Sequence, residues 1–244
     1  MSSHSSHVDR RAILPYEAET ELKEAFFAGE NAGYFVEVGA NDPQLHSETW
    51  HLEQRGWTGV LIEPQPHLAE KIRQSRTAKV YAVACSSRVN SGSCMSLNIA
   101  GAHSSLEDDF FVFGMKRQGT LKVPVKTLDE VLIDAKAPVP IDFLSVDVEG
   151  HQIEVLDGFD IARWQPRLLL IEDHAMNTRL HRLLVARGYK WIRRTGLNSW
   201  YVPANARLQL SPNGRWQFFR KYYLGMPFRH LREALRRLRA CIVG

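Results

Sequence analysis

The chain of 244 residues is 44% hydrophobic and 24% charged, the balance of a folded protein with one α/β domain plus extensions and enough length to bury a sizeable core. Its net charge is +4, but much of the excess lies within 215–239, so the basic character belongs to the tail and argues against a nucleic-acid-binding core. No apolar run approaches the roughly 18–20 residues of a membrane-spanning helix, the polar start MSSHSSHVDRR has no apolar signal core, and Cys85, Cys94 and Cys241 follow no metal-ligand spacing. The expectation is a cytoplasmic protein with reduced thiols.

In chain order, residues 1–30 read as a lead-in followed by a helix at 17–27. An apolar run at 34–38 is the first strand, and 44–54 the helix after it. A second strand spans 59–62, and a helix opens near Pro66, where proline suits a first turn. A third strand follows at 79–84. The period then breaks. Residues 85–120 hold Ser, Gly and Asn clusters and three phenylalanines in 110–113; this is too long for a simple loop and reads as an insertion covering a site. Regularity returns with a strand at 121–125 and a capping box, Thr127 with Glu130 three residues on. A fourth main strand lies at 141–146, a short helix at 152–156 and a fifth strand at 168–171. An amphipathic helix at 176–187 stops at Gly188, and a hairpin joins 189–194 to 199–202. Strands alternating with helices and closing in a hairpin predict an α/β fold over 31–203. It is a doubly wound, mostly parallel, Rossmann-like sheet with an antiparallel C-terminal hairpin, followed by a helical extension at 204–244.

Within this frame two stretches stand out: YFVEVGANDP at 34–43 and IEPQP at 62–66. An apolar strand ends in a small-residue turn, and the next strand ends in a lone acid, Glu63. That is the layout of a nucleotide site at the carboxyl edge of a parallel sheet. Gly39 lets backbone approach a ligand, and Glu63 can accept hydrogen bonds from both ribose hydroxyls. After Val38-Gly39-Ala40 comes Asn41-Asp42-Pro43, without the later glycines of a pyrophosphate cradle. A nucleoside ligand with no phosphate, such as S-adenosylmethionine, fits better, and the architecture is the usual one of class I methyltransferases. Two further strands end in acids: DFLSVDVEG at 142–150 with Asp147 and Glu149, and LLLIEDH at 168–174 with Glu172, Asp173 and His174. Three acid-ended strands on one edge favour a site.

The chain resembles the FkbM-type methyltransferases. The resemblance rests on FVEVGAN, GWTGVLIEPQP, VKTLDEVL, IDFLSVDVEGHQIEVLDG, LLLIEDH and GYKWIRRTGLNSWYV, in family order from about 34 to 202. It implies an S-adenosylmethionine-dependent enzyme that O-methylates a hydroxyl of a sugar, glycan or natural product. It also implies roles for single residues. Glu37, where the family usually has Asp, would reach the methionine end of the cofactor. Gly39 and Asn41 would shape the loop beneath the sulfonium, Glu63 would hold the ribose, and Asp147 and Glu149 would line the cleft near the methyl. Pro43 stands where the family often has glycine, and Gln152 where it often has an acid.

An alcohol acceptor needs a general base. His174 is the preferred candidate, since imidazole titrates near neutrality and Glu172 or Asp173 could orient it. His103, in the insertion, and Glu149 are the others. Oxygen ligands at Asp147, Glu172 and Asp173 would suit magnesium, but the resemblance calls for no metal. Asn198 reads either as a G-x-N position opposite the cleft or as a turn asparagine. In the tail, FFRKYYLGMPFRHLREALRRLR at 218–239 reads either as a basic helix lying on an anionic membrane or as a terminal helix packed on the domain. The competing readings are a non-catalytic nucleoside-binding or scaffold protein, a carboxyl methyltransferase and a nucleic-acid methyltransferase. The last lacks the Asn/Asp-Pro-Pro-aromatic motif, so no nucleic-acid partner is expected.

Overall fold

The computed structural model describes residues 15–107, 117–208 and 212–243. The N-terminal lead-in and the phenylalanines of 110–113 lie outside them. Helix α1 (Pro15–Phe26) leads into β1 (Tyr34–Val38), the one-turn α2 (Trp50–Glu53), β2 (Thr58–Ile62), α3 (Pro66–Ser75) and β3 (Lys79–Tyr81). The next segment carries β4 (Ala84–Cys85), β5 (Cys94–Ile99) and β6 (Gly119–Lys126). The alternation then resumes with α4 (Leu128–Ala135), β7 (Phe143–Val146), α5 (Gln152–Asp157), α6 (Ile161–Trp164), β8 (Leu168–Glu172) and α7 (Arg179–Ala186). The hairpin of β9 (Tyr189–Thr195) and β10 (Asn198–Pro203) follows. A nearly continuous helical rod closes the chain: α8 (Pro212–Phe219), a π-helical turn (Arg220–Leu224) and α9 (Gly225–Val243).

Seven strands pair in the order β3-β2-β1-β7-β8-β10-β9. The first five run parallel, and β10 is antiparallel to both β8 and β9. This is the doubly wound sheet with an antiparallel hairpin. Its central strands are buried and mostly apolar because helices cover both faces. The period of two sends Val36, Val60 and Leu144 into one core, and Phe35, Leu61 and Phe143 into the other. The strand order reverses between β1 and β7, so the crevice at their carboxyl ends is where a ligand belongs.

Two expectations change. The strand predicted at 79–84 divides: Lys79–Tyr81 joins the main sheet, while Ala84–Cys85 pairs with β6 in a second sheet of order β4-β6-β5. The insertion therefore has structure of its own, with β5 antiparallel to β6 over Cys94 to Ile99 and a small core at Leu97, Val123 and Val125. The helix predicted at 44–54 shrinks to one turn. Asp42 Oδ1 accepts the backbone N–H of Gln44 and Leu45, and His46 takes φ +62, which together hold a loop instead. The capping box on α4 forms as read: Thr127 Oγ1 accepts from Glu130 N–H, and the Glu130 carboxylate accepts from Thr127 N–H.

Candidate active site

Three strand ends meet at Gly39. Its φ is +89°, and a Cβ there would lie 1.8 Å from the carbonyl oxygen of Asp147. Glycine is required for that approach as well as for the torsion. Gly39 and Ala40 donate their N–H groups to Ile62 O at 2.9 and 3.1 Å, and Asp147 N–H donates to Val38 O at 2.9 Å, so β1, β2 and β7 are tied together just past their ends. Asn41 follows with φ +49°, which aims its N–H at Glu63 Oε2, 2.9 Å away; Gln65 N–H meets Oε1 at 2.9 Å. Burial pushes the Glu63 carboxyl up, against the pull of those two donors. The Gln65 side chain also donates to it, so of its four lone pairs one remains to accept a ribose hydroxyl.

Gly39, Glu63, Gln65, Asp147, Glu149 and His151 line one wall of the pocket, and the second sheet roofs it with residues such as Leu97, Ala102 and Leu106. Three contacts dock the roof on the turn after β7. His103 Nδ1 lies 2.5 Å from Glu149 Oε1, Ser105 Oγ donates to Glu149 O at 2.6 Å, and Glu107 Oε1 lies 2.6 Å from His151 Nδ1. The other nitrogen of His151 meets the buried Ser86 hydroxyl at 2.8 Å. Glu149 itself takes φ +49°, and Gly150 after it φ +103°.

Beyond Asp147 the site becomes acidic. Solvent reaches Asp147 from the pocket side, yet protein encloses it. Desolvation first, then the charges of Glu172 and Glu149, hold its carboxyl well above the usual carboxylate range. Glu149 is raised for the same reasons, partly offset by His103. His174 Nε2 stands 3.0 Å from Glu172 Oε1 and 3.9 Å from Glu149 Oε2. Burial would lower its pKa, but Glu172, Glu149 and Asp173 outweigh burial and leave it raised. The three predicted catalytic candidates, from segments far apart in sequence, thus form one run: His103, Glu149, His174.

Other predicted residues go elsewhere. Glu37 does not line the pocket. Its buried carboxylate accepts from Ser47 Oγ at 2.9 Å, Thr49 Oγ1 at 2.5 Å and Glu48 N–H at 2.8 Å, so its implied role toward the methionine end gives way to holding the loop after β1. Asp173 does not orient His174, because successive strand residues face opposite ways. It accepts from Ala175 N–H at 2.7 Å and from the Tyr222 hydroxyl of the rod. That also separates it from Asp147 and Glu172 as a metal trio. Among the described residues, the sets with three potential ligand atoms within 4.8 Å of one another are Glu149–Glu172–His174 and Glu107–His151–Glu154. Asn198 leaves the left-handed torsion to Gly196, φ +50°, and its amide bonds Glu19 of α1 at 3.1 Å.

Residues 37–191 match the family described as Methyltransferase FkbM domain, well over half the chain. The chain belongs to the FkbM methyltransferase family. Its cofactor is S-adenosylmethionine, and the residues fit it: Glu63 offers buried carboxylate acceptors, and Gly39 and Asp147 line the same pocket. Among solved structures it is similar to a human methyltransferase 10 domain containing protein, at 12% identity over 77% of this chain and 78% of that one, TM-score 0.42. It is also similar to the N-terminal domain of human METTL16 in complex with SAH (11%, 78% and 68%, TM-score 0.41) and to M. capricolum TrmK in complex with S-adenosyl-homocysteine (9%, 79% and 71%, TM-score 0.39). No curated protein matches the chain.

The two departures from the FkbM pattern now have local settings. The carbonyl of Pro43 is bound by Arg76 Nη1 at 2.9 Å, anchoring the loop from behind. Gln152 donates to Glu172 Oε2 at 2.9 Å, where a carboxylate would add a fourth acid to the cluster. Sequence reading missed His151, Glu107 and Ser86. The signal for His151 was its place directly after Gly150 in a motif already singled out.

Proposed function

We propose that this FkbM methyltransferase methylates a hydroxyl of a sugar or glycan, with His174 as the general base. The observation that carries the reading is the His103–Glu149–His174–Glu172 run, in which Glu149 lines the cofactor pocket and His174 and Glu172 line a neighbouring one. When bound, S-adenosylmethionine supplies an electrophilic methyl carried on a sulfonium. As the new C–O bond forms, the acceptor oxygen must lose its proton, and a ring nitrogen of His174 takes it. The imidazolium that results is held by Glu172 and Glu149. Three nearby acids disfavour an anionic acceptor, a carboxylate or a phosphate-borne nucleic acid, and favour a neutral polyol whose hydroxyls can donate to them. His103 is the second candidate base, oriented by its 2.5 Å contact with Glu149.

The test is labelled methyl transfer across free sugars, lipid-linked glycans, small alcohols and carboxylic acids. A glycan acceptor with an alkali-stable methyl ether is the expected result. His174→Ala should then lose about 10²- to 10⁴-fold in kcat with little change in cofactor affinity. Transfer to carboxylic acids alone, forming alkali-labile esters, would overturn the reading.

A further inference from the structure

The rod at the C-terminus has two unlike sides. One is fixed to the domain. The amide of Gln217 pairs with both backbone groups of Arg194 on the edge strand β9, at 3.0 and 2.7 Å. Phe218 packs on Trp191 and His181, with ring centroids 5.2 and 4.6 Å away. The buried Tyr222 hydroxyl donates to Asp173 and lies 3.2 Å from Ser199 Oγ. Arg229 donates to Ala175 O at 2.6 and 3.0 Å. The rod is therefore rooted on the residues either side of His174.

The other side is apolar and exposed: Trp216, Phe219, Tyr223, Phe228, Leu231 and Leu235, with Phe228 at 73% of full exposure. These residues are spaced by three or four except for one step of five, from Tyr223 to Phe228. A regular helix would swing the second half of the stripe away by about a third of a turn. The π-helical turn at Arg220–Leu224 absorbs the extra residue and keeps both halves on one side. Its local cause is Pro227, which has no N–H and whose ring would crowd the carbonyl of Tyr223, four residues back. From Pro212 onward the chain has eight Lys and Arg against one acid, Glu233, while the preceding residues hold 23 Lys and Arg against 26 Asp and Glu.

We infer that this rod binds the surface of an anionic phospholipid bilayer, aromatic stripe inward and arginines at the headgroups. Charge chooses the occupant. Two copies packed stripe to stripe would bring two strongly cationic segments together, whereas anionic headgroups neutralise them. No helix among the described residues is long and apolar enough to cross a membrane, so the contact is along the surface. Because the root sits at Asp173 and Ala175, the rod stands between the bilayer and the strand end that carries His174. The lipid contact stands whether or not the base is His174.

The test is sedimentation of the full chain with vesicles of phosphatidylcholine containing about one-third phosphatidylglycerol, and with phosphatidylcholine alone. Binding to the anionic vesicles should fall by about tenfold or more between 0.1 and 0.5 M salt, as screening shortens from about 10 Å. The double variant Phe228→Glu/Leu231→Glu touches only exposed positions, so it should lose vesicle binding while keeping its melting temperature and its affinity for S-adenosylmethionine. Equal binding to both vesicle types, an unaffected double variant, or a concentration-dependent dimer that the double variant abolishes would each overturn the inference.

Discussion

Replacing Gly39 with alanine separates two costs that are usually confounded. Gly29 provides the reference: its φ is +83°, close to the +89° of Gly39, but a Cβ there would meet nothing within 4 Å. Gly29→Ala therefore carries the torsional penalty alone, about 1–2 kcal/mol for a side chain in the left-handed region. Gly39→Ala carries the same penalty plus a Cβ 1.8 Å from Asp147 O and 2.9 Å from its carbonyl carbon. Those are backbone atoms, which cannot rotate aside, so β1 and β7 must separate at their ends. Overpacking of this kind adds about 1–3 kcal/mol. The movement acts directly on the hydrogen bonds from Gly39 and Ala40 to Ile62 and from Asp147 to Val38. It also displaces Asn41 from Glu63. Urea unfolding of both variants should show Gly39→Ala less stable than Gly29→Ala by about 1–3 kcal/mol, a large share of the roughly 5–15 kcal/mol of an ordinary domain. Calorimetry should show that Gly39→Ala alone weakens S-adenosylmethionine binding. Equal stability losses with unchanged affinity would refute the argument that the Asp147 contact fixes this residue as glycine.

Glu63→Ala should weaken S-adenosylmethionine binding by about 1.5–3 kcal/mol, roughly 10- to 150-fold in Kd by calorimetry, because the ribose hydroxyls lose a charged acceptor in a desolvated site. Glu37→Ala should do the opposite of what its place at the end of β1 suggests: a stability loss of about 2–4 kcal/mol in urea, from stranding the Ser47, Thr49 and Glu48 donors, with a smaller loss of cofactor affinity than Glu63→Ala. His174 must be neutral to act as base and its pKa is raised, so kcat should fall as pH drops through an apparent pKa above 6.5. Glu172→Gln removes the partner that raises it and should move that limb to lower pH; an unmoved limb would locate the titrating group elsewhere.

What could be read from the sequence was whatever repeats with the sheet. The central strands are mostly apolar because both faces are covered, and each ends abruptly in polar residues, so VGAN, IEP and DVEG marked the carboxyl edge before any coordinates. The convergence of His103 with Glu149 was not legible, because it depends on how a second sheet folds over the first. That sheet hid itself: β4 has two residues, and β5 meets β6 only across a long intervening segment, so no local period announces either. Glu37 shows the limit of motif reading. An acid at the end of a first strand looks like a ligand, but Ser47, Thr49 and the Glu48 N–H hold this one in the loop after β1, and neither hydroxyl has a spacing that says so. The tail was ambiguous for a physical reason too. One side packs on the domain and the other is exposed, and the five-residue step within the exposed stripe falls into line only once the π-helical turn is seen.

Among the described residues, the roof grips the turn after β7 at Glu149 and His151, through His103, Ser105 and Glu107 and through Ser86 just past β4. His103, Ser105 and Glu107 lie within a stretch of five positions, and the wall they grip belongs to the core motif. Lineages descending from such a chain can rewrite the roof, and with it the shape offered to an acceptor, as long as that five-position clasp survives. Diversity of acceptors on one unchanging donor site is the evolutionary outcome this attachment permits.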